Sequence, residues 1–475
     1  MKISQIFYLN KSQAELDFID IDINQDIPLF LDPFFISIRS DNWSIETNRT
    51  IKDFFQKVID LIREDNLEEG KNLFKHLHEP NTTCLGMSRG TPMGRGVGSG
   101  DTEDIFDNIL QSRAIQTGLI QDLEDNLLFV DGFGKDKLSD MTTNIITSHL
   151  IDYTQNQCKL HNIPLSPDVP SGFYWNRRRS QWEQIHTEML VINGRKILLV
   201  PKGIVSFCKD YTPDTYYNHF VLNFMQNEHL QLNSALVQQR KNGTRFVTKK
   251  DLKARNPYSK EFIADFSQRH PEVLNNFRQR TKTYSLNNNE ITDIDINALC
   301  RSLIVDLQEI LTGTENATRF HRLVTGILEV VFYPHLIYPT LEREIHDGRK
   351  RIDLTFDNAA IDGIFYRLSQ NMGIPCQYIM VECKNYSSDI QNPELDQLAG
   401  RFSPNRGQVG FLVCRTIDNF DLFINRCKDT YRDNRGLIIP LTDSDLIGLL
   451  NNHNENFSNY SERFFSDRIR DITMN

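Results

Sequence analysis

No Cys-x-x-Cys pair occurs among the eight cysteines (Cys84, Cys158, Cys208, Cys300, Cys376, Cys383, Cys414 and Cys427). Their scatter excludes a zinc ribbon and a disulfide framework, and reads as reduced, mostly buried thiols. No apolar run approaches the length needed to span a bilayer, so no membrane partner is expected. The opening Met-Lys-Ile-Ser-Gln-Ile-Phe-Tyr-Leu-Asn carries one Lys and turns polar before a signal-peptide core could form, which predicts a cytoplasmic protein. The glycine-rich stretch from Gly86 to Gly100 lacks the Gly-Lys-Ser/Thr ending of a P-loop, so an ordered structural loop is expected there. No internal repeat of solenoid period is present. A net charge of −10 argues against a protein coated with nucleic acid over its whole surface, but leaves room for a local basic groove.

What is present divides into three parts, because 475 residues are too many for one core. Residues 1–225 predict a mixed α/β domain of regulatory, sensor or partner-binding type. A strand and turn are expected around Asp32-Pro33, a long helix over Trp43 to Glu68, and a strand over Leu127 to Val130. A helix capped by Ser139 or Asp140 is expected to run to about His161, and a buried strand over Ile197 to Pro201. Asp140 and Lys202 stand where survivors of a decayed second catalytic core would be. Val200, two residues before Lys202, is not an acid, so no second metal site is expected.

Residues 226–310 predict a basic helical connector. Between Arg240 and Lys282 there are 12 Lys and Arg against 4 Asp and Glu. Phe262, Ile263, Phe266, Val273, Leu274 and Phe277 have helical spacing, and Pro257 and Pro271 separate the helices. Such a segment either lies along a phosphate backbone, with Lys249 and Lys250 as contacts, or is a solvated link between acidic domains.

Residues 311–475 carry the chemistry. In Arg349 to Phe356, Ile352, Leu354 and Phe356 alternate with Arg351, Asp353 and Thr355, placing Asp353 on the polar face of a half-buried strand. In Ile379 to Tyr386, Glu382 and Lys384 share a face, and Cys383 points the other way. Two carboxylates on adjacent strands can hold Mg²⁺ or Mn²⁺, which polarises a phosphoryl oxygen and activates water, while the Lys384 ammonium positions that water. The predicted reaction is phosphodiester hydrolysis.

Asp353 followed by Glu382-Cys383-Lys384 resembles the D...(D/E)xK core of the PD-(D/E)xK, or restriction-endonuclease-like, nuclease superfamily, although Ile352 stands where that name has Pro. The resemblance covers about the last 160 residues, where the order helix, three strands, helix, strand, strand, helix is expected. It implies an α/β fold with a mixed central sheet flanked by helices. It also implies that Glu329, late on the preceding helix, adds a metal or base role, and that Gln397, on the following helix, orders the site. Arg401, sharing that helix face at i, i+4, is expected to contact the phosphate backbone, as are Arg349, Lys350 and Arg351. The resemblance further implies a DNA endonuclease acting on double-stranded DNA in a prokaryotic restriction or anti-phage defence setting, as a homodimer or with a partner subunit, and gated by residues 1–225. The alternative is a noncatalytic nucleic-acid-binding or assembly subunit that retains the fold.

Overall fold

The computed structural model describes residues 1–86, 99–116, 119–120, 122–206, 211–281, 295–345, 350–453 and 457–474. Arg349 therefore lies outside the described residues, as does most of the glycine-rich stretch, residues 87–98.

Two hydrophobic cores organise the chain. The first gathers residues from Ile3 to Phe277, and the second gathers residues from Cys300 to Ile472. The first is largely helical. Helix α1 (Asn42–Arg63) is capped by Asp41, which accepts from the Ser44 amide, and it buries Ile51, Phe54, Phe55 and Val58 on one stripe. Where one helix was expected to His161 there are two, Lys135–Ile145 and α2 (Thr147–His161). The first of these starts before Ser139, whose hydroxyl instead accepts the Leu31 amide. The strand expected over Leu127 to Val130 is also a helix, Asp125–Phe129, because a short apolar run does not by itself distinguish the two.

The basic segment does not stand apart as a connector. Val247, Leu252, Ile263, Phe266, Val273, Leu274 and Phe277 all belong to the first core. Its opening is a small hairpin of β1 (Gln238–Gln239) and β2 (Arg245–Phe246), followed by helix α3 (Lys249–Arg255).

The second core encloses a five-stranded mixed sheet. Helix α4 (Ala317–Phe332) leads in, with Phe320, Val324, Ile327, Leu328 and Val331 buried at helical spacing. The strands are β3 (Leu336–Ile345), β4 (Lys350–Asn358), β5 (Tyr378–Lys384), β6 (Val409–Cys414) and β7 (Leu437–Thr442), in that spatial order. The first two pairings are antiparallel and the last two parallel. Helix α5 (Asn392–Ala399) makes the crossover from β5 to β6. Helices Gly363–Gln370 and Phe420–Arg432 fill two connections for which no helix was anticipated. Strand β6 is buried throughout, as a strand covered on both faces must be.

The two cores interlock. Ala14 packs into the second, and Ile337, Tyr338 and Ala359 pack into the first. Gly326 permits part of this contact, because a Cβ there would lie 2.7 Å from Lys11 Nζ and 3.2 Å from Glu15 Oε1. The seven described cysteines are buried free thiols.

Candidate active site at the end of the central sheet

Strands β4 and β5 pair with Leu354 opposite Val381, so one step further Asp353 stands opposite Glu382. Asp353 is half-buried, and its Oδ2 accepts the Cys383 amide at 3.3 Å. Glu382 is 0% exposed, and its Oε1 lies 2.7 Å from Lys384 Nζ. Its other oxygen, Oε2, is held by the Arg401 guanidinium. Lys384 Nζ also donates to Gln397 Oε1 at 3.0 Å, and Gln397 itself is exposed on α5. Four residues expected to act together, Asp353, Glu382, Lys384 and Gln397, are thus brought to one place. The exposed Gln397 and the 40% exposed Tyr386 border it, so the group opens to solvent on that side.

Arg401 differs from expectation. Helix α5 ends at Ala399 with Gly400 as its cap, so the i, i+4 relation with Gln397 does not carry Arg401 onto an outer face. The chain turns, Arg401 is only 6% exposed, and its side chain lies on Glu382 instead of facing a phosphate backbone. Burial lowers its pKa, and Asp353 opposes that shift.

Glu329 requires a correction. It is 1% exposed, and its Oε2 lies 3.3 Å from Lys202 Nζ, in a cluster with Asp17 and Lys11 that belongs to the junction of the two cores. The reason is the geometry of α4. That helix ends just before β3, whose first residue Leu336 registers with Asn358, at the far end of β4 from Asp353. Burial pushes the Glu329 carboxyl up to about 8 against the opposing pull of Lys202. The α4 residue that does reach the site is His321, eight positions earlier and about 12 Å back along the axis. Its Nε2 donates to the Cys383 carbonyl at 3.1 Å, between Glu382 and Lys384. Sequence reasoning passed over His321 because no acid stands there.

The strand end is braced from behind. Asn385 Nδ2 donates to the carbonyls of Leu311 and Gly313 at 3.1 and 2.9 Å. Arg415 donates to Asn385 Oδ1 at 3.0 Å and to Asp443 Oδ2 at 2.6 Å. These bonds fix the direction in which Lys384 leaves the sheet.

Two carboxylates on neighbouring strands, one half-buried, suit a hard dication that keeps several waters. No group of three or more His, Cys, Asp or Glu side chains placed to hold a metal occurs among the described residues, so the protein's donor set would be Asp353 and Glu382, completed by water or phosphate. With two cations already on Glu382, Arg401 would have to yield for such an ion to reach that carboxylate.

Of the other predicted contacts, Lys350 and Arg351 lie on β4. Lys249 gives its Nζ to the Asn218 carbonyl at 2.7 Å, whereas Lys250 is exposed. Asp140 and Lys202, noted as remnants of a second core, are not together. Asp140 borders a cleft with Asp26, Glu79 and Asp136, while Lys202 is fully buried against Glu329 and the Ala14 carbonyl. A further cavity of about 520 Å³ opens at the junction of the cores, with Trp43, His149, Tyr153 and Gln157 on one side and Tyr338 and Asp357 on the other. Among the described residues no helix is long and apolar enough to cross a membrane.

Residues 8–212 match the family model DUF8370, a domain of unknown function. That span ends before the hairpin β1–β2 and includes none of the residues gathered at Glu382. No curated protein and no solved structure matches the chain.

Proposed function

We propose that the chain is a Mg²⁺-dependent nuclease of the restriction-endonuclease-like kind, acting on double-stranded DNA. The observation that carries this reading is the convergence of Asp353, Glu382, Lys384 and Gln397 at one end of a five-stranded mixed sheet. Asp353 and Glu382 would hold the ion, which when bound supplies charge to polarise a phosphoryl oxygen and acidify water. Lys384, steered by Gln397, orients the attacking water and offsets charge on the phosphorus. His321 holds the strand between the two by its bond to the Cys383 carbonyl. Gating by the first core fits the contacts that cross the junction: Lys202 on Glu329, the Tyr338 amide on Asp17 Oδ1 at 3.1 Å, and a cavity walled by both cores. A role in prokaryotic restriction or anti-phage defence follows by analogy alone.

A second reading, a noncatalytic nucleic-acid-binding or assembly subunit, draws on Arg401, which already neutralises Glu382. Incubation of the full chain with plasmid and linear DNA, under Mg²⁺ or Mn²⁺ and under chelator, separates the two. Metal-dependent cutting that disappears in Lys384→Ala is the expected result. Cutting that survives in that variant removes the site assignment, and absence of cutting by the parent chain favours the second reading.

A further inference from the structure

A pronounced local excess of positive charge falls outside the stretches that carry Asp353 and Glu382. Between Gln238 and Arg255 stand Arg240, Lys241, Arg245, Lys249, Lys250, Lys253 and Arg255 against the single acid Asp251, in a chain of net charge −10. The fold joins this run, with Gln238 of the hairpin bonded to Asp251 of helix α3. In the hairpin β1–β2, Arg240 N donates to the Thr244 carbonyl and Gly243 N to the Arg240 carbonyl, both at 2.9 Å. Gly243, at φ +85°, makes the turn possible because a residue with a Cβ would be strained there. Gln238, Gln239, Arg240, Lys241, Asn242, Thr244 and Arg245 are all exposed. Helix α3 continues the surface with Lys250, Lys253 and Arg255 exposed, while Val247 and Leu252 anchor it in the first core. Asp251 is occupied locally, accepting from Gln238 Nε2 at 2.8 Å and from the Thr248 hydroxyl at 2.6 Å. Among the described residues no carboxylate pairs with Lys241 or Lys250.

We propose that the hairpin β1–β2 and helix α3 form the docking face for a nucleic-acid duplex. Arg240 and Lys241 at the hairpin tip lie in a groove, and Lys250, Lys253 and Arg255 take the flanking phosphates. The choice of partner rests on the nuclease reading. The choice of surface rests on the charge and on what the surface omits. Between positions 238 and 255 it offers no exposed aromatic platform on which single-stranded bases stack, since Phe246 is half-buried with the Arg240 guanidinium 5.0 Å from its ring centre; the 44% exposed Tyr258 lies past the end of α3. It has no exposed large apolar side chain between positions 238 and 255 to anchor in a lipid surface. The amide groups of Gln238 and Gln239 are engaged locally, donating to Asp251 Oδ2 at 2.8 Å and to the Gly243 carbonyl at 3.2 Å, so the basic residues supply a sequence-independent attraction.

The test measures binding without cleavage. Fluorescence anisotropy of a labelled DNA duplex is followed with the full chain in chelator over a series of salt concentrations. The parent chain is compared with Arg240→Ala/Lys241→Ala, with Lys250→Ala/Lys253→Ala, and with the control Arg63→Ala/Arg463→Ala, which removes the same charge from other exposed positions. Each basic double variant is expected to bind at least tenfold more weakly, with the slope of log affinity against log salt reduced by roughly 2. The control is expected to match the parent. Parental affinity in both basic variants, an equal loss in the control, or equal binding of single-stranded DNA or anionic vesicles overturns the proposal. The nuclease reading fails separately, through absence of metal-dependent cutting by the parent chain, and that outcome does not alter the binding comparison.

Discussion

Glu382 and Glu329 are both fully buried and both face a lysine, and they do opposite things. Glu382 and Lys384 sit on one strand at 2.7 Å, beside the half-buried Asp353 and the exposed Gln397. Glu329 and Lys202 come from different cores, meet at 3.3 Å, and are closed over by the Tyr333 ring, 4.2 Å from Lys202 Nζ, and by the Ala14 carbonyl. Burial and charge pairing are therefore common to both and mark neither as a site. What separates them is access and a second acid. The first pair opens toward solvent with another carboxylate on the adjacent strand, while the second is sealed and joins two bodies.

The comparison can be broken experimentally. The largest effect is expected at the open pair, where Lys384→Ala should lower metal-dependent cleavage by a factor on the order of a hundred or more and leave the urea midpoint nearly unchanged. At the sealed pair the weight falls on stability. Lys202→Met, which leaves the Glu329 carboxyl and the Ala14 carbonyl without their donor, should cost about 1–3 kcal/mol in urea unfolding, and Lys202→Met/Glu329→Leu should recover part of that. The sealed pair should also show in the parent's pH dependence. The Glu329 carboxyl is raised in the folded state, so the folded chain holds its proton more tightly than the unfolded chain does. Its contribution is full below the ordinary 4.5 and is lost as pH rises to about 8. Glu329→Gln should flatten that part of a stability profile measured between pH 5 and 8.

A smaller effect joins the two regions, since both belong to or touch helix α4. His321→Phe removes the bond to the Cys383 carbonyl. It should cost about 1 kcal/mol of stability, and it should raise the Mg²⁺ concentration for half-maximal cleavage by roughly tenfold. An unchanged metal requirement would confine His321 to packing. The smallest effect concerns a third carboxylate, whose charged neighbours are all acids. Burial, with Glu79, Asp136 and Asp26 adding to it, pushes Asp140 up to about 7. Its stabilising share is likewise lost between about pH 4 and 7, so Asp140→Asn should raise the melting temperature at pH 8 by a few degrees and change little at pH 4.

The open site was legible because its spacing is local. Period two along β4 and β5 set the faces of Asp353, Glu382 and Lys384, and helical spacing set Gln397. Arg401 was misread because the argument assumed a helix that continues, whereas α5 stops at Ala399. Glu329 was misread for a different reason. Its place late on α4 was correctly expected, but which end of the sheet that part of the helix faces depends on how α4 enters β3. The basic segment shows the same division. Its charge and helical spacing were plain in the sequence, yet its packing into the first core rests on contacts with Tyr216, Phe224 and other residues distant along the chain.

By itself, then, the sequence determined the alternation that arms the strands, the apolar stripes that make the helices amphipathic, and the charge segregated between Gln238 and Arg255. These depend on neighbours a few residues apart, whose relative directions the backbone period fixes. Only the tertiary structure decided which acid meets which lysine. Glu329 and Lys202 are 127 residues apart and Lys384 and Gln397 are 13 apart, and each pairing is set by the way whole elements pack and not by any local period.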